Sequence, residues 1–99
     1  MRFPAQTPLP FTDDGIRQIG EGQTGCYGLQ QLSGGRVAWI YVGKATDLRA
    51  RLLEHLHKDS RCVNLYWPTH FLTVVSPSPD ALEKQLIIEY GPVCNAKVG

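Results

Sequence analysis

The sequence predicts an α+β fold, a small sandwich whose three-stranded antiparallel sheet is flanked by helices, and three observations carry that prediction. Two β-rich runs, residues 24–32 and 36–43, are joined by Ser33-Gly34-Gly35, the composition of a hairpin turn. Directly after Gly43 the apolar period becomes helical, with Leu48, Leu52 and Leu56 on one stripe. A β-branched run, residues 69–75, then precedes a segment carrying both a start and a stop signal for a second helix.

In chain order, residues 1–23 read as a partly irregular lead-in, because Pro4, Pro8 and Pro10 break any regular pattern, and residues 24–99 read as one domain. A three-residue hairpin loop sets Leu32 opposite Arg36 and, counting back, Tyr27 directly opposite Tyr41, so that two phenols share one sheet face. The first helix has Thr46 or Asp47 as its N-cap and is expected to end near Lys58. Turn residues 76–78 close the third strand. The second helix is capped by Ser78, with Pro79 in its first turn and Asp80 at the positive end of its dipole, and Gly91-Pro92 stops it.

Composition narrows the function classes. A chain of 99 residues can bury one core without metal or disulfide support. No apolar stretch is long enough to cross a bilayer, which excludes a membrane protein. The first eleven residues lack the apolar region of a secretory signal, so a cytoplasmic location is expected. Cys26, Cys62 and Cys94 are odd in number and far apart, which predicts reduced, mostly buried thiols rather than a disulfide framework or a zinc site. A formal net charge of +1 means that any basic footprint for nucleic acid must be local.

Chemistry concentrates on the two helices and the hairpin. Glu83 has Leu86, Ile87 and Tyr90 as its neighbours on the apolar face, while Lys84, Gln85 and Glu89 take the solvated side. A carboxylate placed there needs a cation partner, either Lys or Arg at the rim of the core or a divalent metal, for which Glu is a hard oxygen ligand. Arg51 and His55, one turn apart, run along the edge of the leucine stripe and look toward the sheet. Lys44 stands at the strand-to-helix junction, where cations and backbone N–H groups can meet a phosphate. Arg49, Glu54 and Lys58 read as solvated charge or at most phosphate contacts. Tyr27 or Tyr41 is a candidate general base, although bringing a phenol from a pKa of about 10 to about 7 takes roughly 4 kcal/mol of phenolate stabilisation. Trp39 and Trp67 are candidates for stacking on bases, with core packing the better role for Trp39.

These residues resemble the GIY-YIG nuclease superfamily, which includes excision-repair nucleases and homing endonucleases. Gly25-Cys26-Tyr27 stands where the family has its first tripeptide, with Cys26 replacing the apolar middle residue, and Tyr41-Val42-Gly43 stands where it has the second. The run from Tyr41 to Leu52 is similar to the repair-nuclease motif, with Arg51 at the catalytic arginine, and His55 matches a histidine of the homing branch. Glu83 falls at the metal-binding glutamate and Asn95 at a late asparagine that supports the site.

The resemblance implies an endonuclease acting on DNA with one divalent ion, Mg²⁺ or Mn²⁺, held by Glu83. It implies a tyrosine that activates water, with Lys44 and His55 tuning the phenols, Arg51 neutralising transition-state charge, and Gly43, Arg49 and Asn95 on the substrate side. Gly43 is expected to let substrate approach the backbone. Substrate choice is expected to come from a targeting partner, a homodimer or a longer parent protein. The competing expectation is a nucleic-acid-binding or interaction module that keeps the fold without cutting.

Overall fold

The computed structural model describes residues 2–57 and 61–95. Within them the chain forms β1 (Leu9–Pro10), α1 (Asp13–Ile16), β2 (Gly25–Ser33), β3 (Arg36–Ala45), α2 (Leu48–His57), α3 (Arg61–Tyr66), β4 (His70–Val75) and α4 (Pro79–Tyr90). Lys58, the expected end of the first long helix, lies outside the described residues.

The expected α+β class holds, but the sheet has four strands rather than three, in the order β1-β4-β2-β3, with every pair antiparallel. The added strand is β1, which pairs Leu9 with Phe71 and Pro10 with His70. Two residues show no alternation in the sequence, and proline is tolerated at a sheet edge, so this strand left no signal. The amino-terminal segment also supplies core. Phe3, Phe11, Ile16 and Ile19 are buried, and the Thr12 side chain caps α1 by accepting a hydrogen bond from the Gly15 N–H.

The hairpin register differs from the expected one in two compensating ways. Gly34 and Gly35 both have positive φ, 55° and 80°, so they form a two-residue turn that pairs Ser33 with Arg36. A turn one residue shorter would by itself send Tyr41 to the opposite sheet face from Tyr27. A bulge opposite Leu29 and Gln30 inserts Ile40 into β3 and restores the parity. Tyr27 therefore faces Gly43, not Tyr41, and the two phenols are diagonal neighbours on one face, with ring centroids 6.1 Å apart.

That face packs under α1, α2 and α3, with Tyr27, Leu29, Ile40, Phe71, Leu48, Leu52 and Val63 in one core. The opposite face packs against α4, with Cys26, Val42, Leu72 and Leu86 buried among Phe3, Trp39 and Tyr90. Gly28 makes room there, since a Cβ at that position would sit 2.6 Å from the Trp39 ring. Among the described residues no helix is long and apolar enough to cross a membrane.

The segment after α4 runs along the outer edge of β3. Val93 and Cys94 donate backbone hydrogen bonds to the carbonyls of Trp39 and Ile40, and the Asn95 side chain brackets Val42. This covers an edge that would otherwise present unpaired backbone. It also brings Cys94 against α3, where it forms a disulfide with Cys62. The expectation of three reduced thiols is thus corrected for two of them. The pairing arises from the returning segment, which a separation of 32 residues does not reveal. Cys26 is free and buried, as expected, and burial pushes its thiol up to about 11.

Candidate active site

Tyr27 is fully buried on the central strand β2, and its hydroxyl lies 2.7 Å from Nε2 of His55 on α2. Tyr41, on the neighbouring strand, is only half-buried, and its ring centroid is 5.4 Å from that of His55. Helical spacing puts Arg51 one turn before His55, so both side chains of the leucine-stripe edge reach the same pair of phenols. Arg51 and His55 were expected to look toward the sheet, and they do, meeting it at Tyr27 and Tyr41.

Electrostatics within the cluster follow from that packing. Burial raises the Tyr27 pKa, the neighbouring Tyr41 raises it further, and the Arg51 charge opposes both. Burial lowers the His55 pKa to about 4, and here the Arg51 charge acts in the same direction as burial. At neutral pH the contact is therefore between a neutral phenol and a neutral imidazole. The Arg51 guanidinium also pairs weakly with Glu54, at 3.8 Å.

Gly43 has a different neighbour from the expected one. A Cβ there would collide with the Tyr27 hydroxyl and approach the Tyr41 ring to 2.8 Å, so the space that a side chain would fill belongs to the two tyrosines rather than to substrate. Asn95 is buried and turned inward. Its Oδ1 accepts from the Val42 N–H at 2.7 Å and its Nδ2 donates to the Val42 carbonyl at 2.9 Å, which fixes the backbone between Tyr41 and Gly43. Both polar ends of its side chain are taken up by Val42.

The remaining candidate cations are partnered. Lys44 donates to Asp80 at 2.6 Å, a contact that raises the lysine pKa and lowers that of the carboxyl. Arg49 donates to Glu21 at 3.1 Å. Asp80 had a visible reason to stand at a helix start, and Glu21 lies in the segment expected to be irregular, so neither was legible as a partner.

Glu83 is half-buried on α4 and, among the described residues, makes no hydrogen bond or ion pair. Its charge nevertheless acts on the Tyr27 phenol, the Cys26 thiol and Lys44, so it lies at the tyrosine end of the sheet. β3 is the outer strand, and the returning segment covers its edge as far as Val42 among the described residues.

No group of three or more His, Cys, Asp or Glu among the described residues can cage a metal. Among the described residues Glu83 offers a single hard carboxylate without a protein partner. That suits Mg²⁺, which keeps most of its own waters and is commonly held by one or two carboxylates, and does not suit zinc.

No family model and no curated protein matches the chain. Solved structures do. The chain is similar to the GIY-YIG N-terminal endonuclease domain of UvrC from Thermotoga maritima bound to magnesium, its catalytic divalent cation, with a TM-score of 0.62 and 26% identity over 81% of this chain and 94% of that one. Two tyrosine-to-phenylalanine point mutants of the same domain, each bound to its divalent cation, match with a TM-score of 0.60, at 26% and 25% identity. With the two tripeptides on adjacent strands and the α4 carboxylate at their end, the fold and these likenesses agree that the chain belongs to the GIY-YIG nuclease superfamily.

Proposed function

We propose that this protein is an endonuclease that hydrolyses phosphodiester bonds in DNA with one divalent ion, Mg²⁺ or Mn²⁺, held by Glu83. The observation that carries the reading is the cluster of Tyr27, Tyr41, Arg51 and His55 on one sheet face, with the Glu83 carboxylate of α4 near enough for its charge to act on the Tyr27 phenol. Bound at Glu83, the ion would polarise a phosphate oxygen and ease departure of the leaving oxygen.

Tyr41 is the better general base. A water has to reach the oxygen that takes its proton, and Tyr41 is half-exposed whereas Tyr27 is sealed. In this reading the phenolate form of Tyr41 accepts the proton as the water oxygen bonds to phosphorus, and the bond to the leaving oxygen breaks, that oxygen departing as an alkoxide that takes a proton from solvent. Arg51 balances the charge that gathers on the phosphate oxygens. Tyr27 and His55 hold each other and the Tyr41 ring in place, and Asn95 fixes the strand that carries Tyr41. Choice of DNA target would come from a partner, a second copy or further sequence.

A supercoiled-plasmid assay tests this directly. Nicked or linear product with Mg²⁺, and none with EDTA, is expected. The second reading, an interaction module that does not cut, is favoured by the neutralisation of Lys44 by Asp80 and of Arg49 by Glu21. DNA binding without cleavage at any Mg²⁺ or Mn²⁺ concentration would establish it.

A further inference from the structure

A cavity of about 330 Å³ is lined by Phe11, His55, Leu56, Asn64, Trp67 and Pro68. That is within the size range of small-molecule sites, roughly 300–1,000 Å³. We infer that this cavity takes an unpaired base of the DNA strand being cut, from a nucleotide next to the scissile phosphate, stacked on the Trp67 indole. The inference rests on the function proposed above, because the phosphate position defines which nucleotide is adjacent.

Trp67 is built unfavourably for a protein that leaves this wall unused. It is 73% exposed, and its φ of 56° is left-handed, a conformation that costs a bulky side chain and that glycine usually takes after a helix. Its N–H closes the last turn of α3 by donating to the Val63 carbonyl, and Pro68, which follows it, disfavours helical backbone at Trp67. The indole lines the cavity while remaining largely exposed, a flat apolar surface open to solvent. Stacking on an aromatic side chain is how unpaired bases are gripped without sequence readout.

The lining selects the base rather than the phosphate. Among the described residues it contains no Lys, Arg, Asp or Glu, and burial keeps His55 neutral at physiological pH. A neutral, planar ligand with polar edges fits such walls, while the charged backbone belongs beside Arg51. His55 is shared by both places. One edge of its ring meets the Tyr27 hydroxyl at 2.7 Å and the ring also lines the cavity, so a base inside stands one imidazole from the phenols.

The test measures binding, not cleavage, with Ca²⁺ in place of Mg²⁺. The probes are a fluorescent single-stranded oligothymidylate and the same backbone with abasic sites throughout. Wild type is expected to bind the base-bearing strand more tightly. Trp67→Ala should lose about 5- to 100-fold on that strand and little on the abasic one, with Trp67→Phe close to wild type. The inference is overturned if wild type fails to distinguish the two strands, or if Trp67→Ala weakens both equally. Base selectivity through Trp67 in a protein that never nicks plasmid would separate failure of the nuclease reading from failure of this one.

Discussion

The hydroxyl of Tyr27 lies 2.7 Å from Nε2 of His55, so that the central strand and the helix covering it meet through a buried polar contact. His55 is neutral there because burial and the Arg51 charge oppose its protonation, which lowers its pKa from 6.5 to about 4. Between those values the unfolded chain binds a proton that the folded chain does not, so stability rises with pH. Acidification from pH 6.5 to 4.5 should destabilise the wild type more than His55→Phe, as read by urea unfolding at each pH. Equal pH slopes would contradict the assignment.

Gly43 exists for the tyrosines. Gly43→Ala places a methyl group against the Tyr27 hydroxyl and within 2.8 Å of the Tyr41 ring. Overpacking of this kind costs about 1–3 kcal/mol. Denaturant unfolding should show that loss, and an alanine variant as stable as wild type would mean that the phenols have room the structure does not give them.

Much of this was legible in the sequence, for identifiable reasons. The leucine stripe, the Pro79 start and the Gly91 stop are local signals that depend on no distant residue; Gly91 ends α4 in left-handed backbone, whereas Ser78 stands at the N-cap without the expected side-chain hydrogen bond. Glu83 was visible because a carboxylate interrupts an apolar face. The register was not, since the shorter turn and the Ile40 bulge cancel in parity and neither has a residue signature beyond the two glycines. Strand β1, the Cys62–Cys94 disulfide and the Glu21–Arg49 pair all depend on segments returning from far along the chain.

Asn95 acts as a clamp. Asn95→Ala leaves the N–H and carbonyl of Val42 without side-chain partners at a buried position, which costs roughly 1–3 kcal/mol for each unsatisfied group. Asn95→Asp keeps the acceptor and loses the donor, so it should fall between alanine and wild type. Unfolding free energies in any other order would place the role of Asn95 elsewhere.

The disulfide ties α3 to the segment that carries this clamp. Closing a loop across 32 residues is worth about 3–4 kcal/mol in the chain-entropy account. Reductant, or Cys62→Ser, should lower the melting temperature, with no further effect of reductant on the serine variant. Identical melting of oxidised and reduced protein would show that the bond adds nothing.

In the proposed mechanism the Glu83 carboxylate on α4 serves the tyrosine cluster through a metal ion. The most direct test of this is Glu83→Gln, which removes the charge and keeps the shape, compared with wild type for plasmid cleavage in Mg²⁺ and for unfolding. Cleavage should fall by roughly a hundredfold or more, the several kcal/mol that a catalytic metal supplies, while stability changes by less than about 0.5 kcal/mol. A Glu83→Gln protein that cuts at the wild-type rate would contradict the account.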